Sequence, residues 1–81
     1  MKYLHSMVRV RDVEASLRFY CEGLGLRETR RMDNPQGKFT LIFLAADDNP
    51  DAEIELTHNW GRSEYERGNA YGHIALAVDD V

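Results

Sequence analysis

Cysteine is almost absent from the chain: Cys21 stands alone, so no internal disulfide can form. A lone free thiol fits a reducing cytoplasm, where disulfides do not persist. Nothing beside it in the sequence activates it, so it reads as a small, partly buried helix residue. Long apolar runs are missing too. None approaches the roughly 20 residues of a membrane-spanning helix, and the opening MKYLHSMVRV has no apolar stretch of the signal-peptide kind. Basic residues do not cluster beyond Arg27–Arg31, and the formal net charge is −4. Nucleic acid and membrane surfaces are therefore not expected partners. There is no low-complexity linker and no HExxH-type metal motif. What remains is 81 residues, 43% hydrophobic and 30% charged, enough for one small domain.

Alternation of apolar and polar residues predicts a strand over Leu4–Val10, with Leu4, Ser6, Val8 and Val10 on one face and His5, Met7 and Arg9 on the other. Asp12 is a good helix N-cap. Val13, Leu17, Tyr20 and Leu24 then recur at helical spacing, predicting an amphipathic helix over Val13–Glu22, closed by Gly23 and Gly25. Strands are expected at Arg27–Met32, Phe39–Leu44, Ala52–His58 and His73–Val78, with turns or loops at Asp33–Gly37 and Ala45–Asp51. Asn59–Gly72 is polar and glycine-punctuated, with a short helical turn expected near Ser63–Arg67. The order β-α-β-β-β, followed by β, describes an α+β unit whose helix covers one face of a small sheet.

The chain closes on HIALAVDDV, which echoes HSMVRVRDV near its start. His5 matches His73, Val10 matches Val78, Asp12 matches Asp80 and Val13 matches Val81. The echo falls where a second β-α-β-β-β unit would begin, with a helix due at Val81. The expected organisation is a first module with its connector over residues 1–72, and the first strand of an incomplete second module over 73–81. The chain then reads as a piece of a longer duplicated protein, or a naturally short relative of one.

Strand parity puts His5 and Arg9 on the polar sheet face, together with Glu55 and Asn59. His73 holds in the second copy the place of His5 in the first. Two histidines and a glutamate suit a divalent transition metal. Each also has a plainer reading on its own, as a surface strand residue or a solvated side chain.

Four stretches carry a family resemblance over essentially the whole chain: LHSMVRVRDVEASLRFYCEGLGL (Leu4–Leu26), NPQGKFTLIFL (Asn34–Leu44), IELTHNWG (Ile54–Gly61) and YGHIALAV (Tyr71–Val78). They resemble glyoxalase I, the lactoylglutathione lyases of the vicinal-oxygen-chelate superfamily. ELTHNWG is the most specific stretch; GHIA and the D-x-x-x-S-x-x-F-Y helix identify only the superfamily. The resemblance implies a fold of paired βαβββ modules and a metal held by His5, Glu55 and His73. A fourth ligand, a glutamate of the second module near position ~123 by the repeat's own offset, lies beyond this sequence. It also implies that Arg9 and Asn59 bind the carboxylate end of glutathione, and that Glu55 takes part in proton transfer. A further arginine, found before the GHI motif in many eukaryotic members, is replaced here by Asn69. The short connection from Asn59 to Tyr71 is similar to the compact bacterial type, which implies nickel or cobalt, with zinc the metal of longer relatives.

The implied reaction is isomerisation of the methylglyoxal–glutathione hemithioacetal to S-lactoylglutathione, in a homodimer whose active sites are shared between subunits. With half of the cavity and three of the four ligands, the 81-residue chain alone is expected to be inactive or very weakly active, and to associate through its last strand. Another enzyme of the superfamily (thiol transferase, ring-cleaving dioxygenase or epimerase) and a catalytically inert fragment are the alternatives.

Overall fold

The computed structural model describes residues 1–79. The expected cap at Asp80 and helix start at Val81 lie outside the described residues. The elements run β1 (His5–Arg9), α1 (Val13–Leu17), β2 (Arg27–Asn34), β3 (Phe39–Ala46) and β4 (Asn49–Asn59). The strands form one mixed sheet in the order β1-β4-β3-β2. β1 lies parallel to β4, with His5 opposite Glu53 and Met7 opposite Glu55. The β2–β3 and β3–β4 pairs are antiparallel. The chain thus makes the βαβββ module that its sequence patterning predicts.

Asp12 caps the helix as expected: its extended backbone turns the chain, and its Oδ1 accepts from the Ala15 N–H at 3.0 Å. The helix differs from its expectation beyond Leu17. There α1 passes into a π-helical stretch, Arg18–Gly23, and the Leu24 N–H reaches five residues back to the Phe19 carbonyl at 3.0 Å. The widened turn shifts the side chains that follow. Leu24, assigned by periodicity to the buried stripe, is 45% exposed. Cys21 and Leu26 contact the core instead, beside Val13, Leu17 and Tyr20. Gly25, at φ 82°, takes a left-handed conformation that only glycine adopts freely, and so ends the helix.

The core lies between this helix and the sheet. Leu26, Ile42, Leu44 and Leu56 form its centre, with Val8, Val10 and Ile54 packed around them. The β3–β4 connection is tighter than the expected seven-residue loop: Ala46 pairs with Asn49, leaving Asp47–Asp48 as the turn. Regular pairing resumes only at Leu44–Ile54, so Pro50 sits in the irregular stretch, where a missing N–H costs little.

Two further expectations are corrected. Residues 62–67 form no helical turn, and His73–Val78 form no strand in this chain. The latter stretch is exposed throughout. An isolated strand has no ladder to satisfy its N–H and C=O groups, and among the described residues none of the four strands pairs with it.

Burial and the nearby carboxylates of Glu28 and Glu22 push the Cys21 thiol pKa up, burial being the larger cause. The thiolate is the reactive form, so less of it is present at a given pH. Alkylation of Cys21 by iodoacetamide at neutral pH is expected to be slower than that of free cysteine, with its rise displaced to higher pH. A rate matching free cysteine would contradict this.

Candidate metal centre

The sheet face turned away from the helix carries His5, Met7 and Arg9 from β1 and Glu53, Glu55, Thr57 and Asn59 from β4. Their common side follows from the two-residue period of each strand and from the parallel register joining them. That register places the two expected ligands diagonally, and their side chains meet: His5 Nε2 lies 3.0 Å from Glu55 Oε1. The His5 side chain is 32% exposed and that of Glu55 13%, so the carboxylate is held inside while the imidazole edge reaches solvent. The second oxygen of Glu55, Oε2, accepts from Thr57 Oγ1 at 2.9 Å. Thr57 is buried and stands two residues on, on the same face. Its role went unassigned in the sequence, although the parity of ELT contains it.

The pair fits a divalent cation. A neutral imidazole nitrogen is a borderline donor and a carboxylate oxygen a hard one, a combination that divalent transition ions take. Their 3.0 Å separation matches two adjacent corners of an octahedron with bonds of about 2.1 Å. The remaining ring nitrogen, His5 Nδ1, is buried and unpartnered among the described residues. Leaving such a group unsatisfied costs about 1–3 kcal/mol, and exceptions of this sort call for a functional explanation. Among the described residues no three His, Cys, Asp or Glu side chains converge on one point. His73 lies in the exposed stretch without regular structure and does not complete the pair within this chain.

Arg9 and Asn59 come together separately. They line one open groove of about 640 Å³ with Met7, Arg62, Tyr65 and Arg67 among its other walls. Tyr65 Oη donates to Asn59 Oδ1 at 3.4 Å, which leaves the amide N–H groups of Asn59 free to donate. A guanidinium and an amide donor at one groove favour a carboxylate ligand. The third histidine, His58, points to the other sheet face and bonds through Nδ1 to the Val10 carbonyl at 3.2 Å, tying β4 to the end of β1. No helix among the described residues is long and apolar enough to cross a membrane.

The sequence matches known proteins along its whole length. It is 52% identical over 82 aligned positions to a lactoylglutathione lyase of Haemophilus influenzae, covering 100% of this chain and 61% of that protein. It is 50% identical over 82 positions to a probable lactoylglutathione lyase of Synechocystis, covering 100% of this chain and 63% of the relative. A solved structure of the trypanothione-dependent glyoxalase I of Leishmania major superposes with a TM-score of 0.90 at 42% identity, over 99% of this chain and 58% of that one. The chain therefore spans about three fifths of the length of these relatives. The family model of the Glyoxalase/Bleomycin resistance protein/Dioxygenase superfamily matches residues 2–81. With that match, the βαβββ module and identities near one half, the chain belongs to this superfamily.

Proposed function

We propose that the protein carrying this chain is a glyoxalase I, isomerising the methylglyoxal–glutathione hemithioacetal to S-lactoylglutathione. The observation that carries the reading is the His5–Glu55 contact on an open sheet face that also bears the Arg9–Asn59 groove. The names of the relatives, at 52% and 50% identity, support the same activity.

His5 and Glu55 would hold the cation, joined by His73 of a second copy and a glutamate of the second module. Residues 1–72 are then the first module and 73–81 the first strand of the second. The stretch His73–Val78 would gain its ladder only against other strands. That completion makes the protein a homodimer with shared sites, and the exposed Ile74, Leu76 and Val78 support such a covering partner. Nickel or cobalt is the preferred ion, with zinc possible. Once bound it supplies Lewis acidity toward the oxygens of the substrate.

The chain's own residues do the rest. Arg9 and the Asn59 amide bind a glutathione carboxylate and so fix the reacting carbons relative to Glu55. Glu55 moves the proton that leaves the hydroxyl-bearing carbon and returns to its neighbour. Thr57 holds one carboxylate oxygen and limits how Glu55 can turn. The compartment is the reducing cytoplasm, consistent with the lone thiol of Cys21.

The test is lactoylglutathione formation by the purified protein from methylglyoxal and glutathione, after metal removal and again with added nickel or cobalt. Turnover that depends on both glutathione and metal is expected. Stoichiometric metal uptake with no isomerisation would overturn the reading in favour of another superfamily activity. No metal uptake at all would point to an inert module.

A further inference from the structure

We infer that Arg30 is a positioning residue for His5, acting through Phe43; the inference rests on the metal reading above. A metal-binding histidine is ordinarily held in its plane by a hydrogen bond from its second ring nitrogen. His5 Nδ1 makes no such bond among the described residues. Apart from the Nε2–Glu55 contact, what holds the ring is packing, and the ring it meets is Phe43, edge to face at 5.5 Å between centroids and 85° between planes. The Arg30 guanidinium covers the Phe43 ring in turn, 3.8 Å from its centroid.

Arg30 is itself anchored. The β2–β3 register jumps between Glu28 and Arg30, leaving Thr29 as an extra residue in a bulge. Bulges re-aim side chains next to functional sites. Here Thr29 Oγ1 lies 2.6 Å from Glu53 Oε2, and Arg30 Nη2 donates to Glu53 Oε1 at 3.1 Å. The contacts run without a gap from the bulge through Arg30 and Phe43 to His5 and Glu55. An arginine serving only solubility on an exposed edge strand would need none of them.

Charge and positioning predict opposite outcomes. Removing a cation near a cation site should tighten metal binding by Coulomb's law. Releasing the His5 ring should weaken it. Nickel affinity is therefore measured by calorimetry on the metal-free protein carrying this chain, as wild type, Arg30→Ala, Arg30→Lys and Arg31→Ala. Arg30→Ala is expected to bind about tenfold more weakly. Arg30→Lys, which keeps the charge and loses the planar stack, should follow it. Arg31 pairs with Glu28 rather than with Glu53, and Arg31→Ala should stay within twofold of wild type. Should Arg30→Ala fail to fold, Arg30→Lys carries the test alone. Equal or tighter binding by both Arg30 variants overturns the inference while the metal reading stands. A wild-type protein that takes up no nickel overturns both.

Discussion

In the glyoxalase I reaction proposed above, Glu55→Gln is expected to lower kcat for hemithioacetal isomerisation by about 10²–10⁴-fold, the usual worth of a positioned proton carrier. Two losses combine. The amide cannot accept the substrate proton, and a neutral oxygen replaces the anionic one that faces His5 Nε2 at 3.0 Å. The Thr57 contact can survive with its direction reversed, since the amide N–H can donate to Thr57 Oγ1. The variant should therefore fold normally, bind nickel more weakly, and remain slow when saturated with it. Assays at rising nickel concentration separate the two losses: an activity restored to within tenfold of wild type by metal alone would leave Glu55 a ligand and nothing more. Arg9→Ala makes a useful contrast in the same assay: it removes a binding contact, so KM should rise alongside a smaller fall in kcat from the looser positioning of the reacting carbons.

The largest effect on stability is expected at Leu44. It is 0% exposed and stands at the centre of the cluster with Leu26, Ile42 and Leu56. Truncating such a leucine to alanine costs about 2–5 kcal/mol. A fold of this size holds roughly 0.05–0.15 kcal/mol per residue, so Leu44→Ala removes a large share of the total. Leu24→Ala, a change of the same chemistry, should cost under about 0.5 kcal/mol because its side chain is exposed. Urea unfolding followed by circular dichroism reads both. Equal losses would mean that Leu24 belongs to the buried stripe after all and that the helix does not widen after Leu17.

That pair of leucines shows where sequence patterning reaches its limit. The alternation of apolar and polar residues in β1 and β4 is enough to put His5 and Glu55 on a common face, because a strand period of two leaves no choice. Asp12 was legible for a similar reason: a short acidic side chain ahead of an apolar stripe has one good use. The π-helical turn was not legible. Leu24 satisfies helical spacing as well as Cys21 does, and only competition for space against β3 and β4 decides between them. The Thr29 bulge was hidden likewise, since a bulge is a property of two strands and the sequence of one does not reveal it. The tail from His73 to Val78 has strand patterning in full, yet patterning supplies no partner. The Arg9–Asn59 groove lay between these cases: parity brought the two residues to one face, while the path of residues 62–67 beside them followed no local signal.

The strand order carries a consequence for how this fold can grow. β2 ends the sheet on one side with Arg27, Glu28, Arg30 and Arg31 exposed along it, a charged border that discourages another strand. β1 ends it on the other side, pairing only with β4 among the described residues. Growth is thus one-sided, and the growing side is the strand that bears His5. A strand added there would bring its side chains next to the His5–Glu55 pair. In the glyoxalase I proposed above, extending the sheet and supplying further ligands would then be one event, with assembly acting as the on-switch for the chemistry.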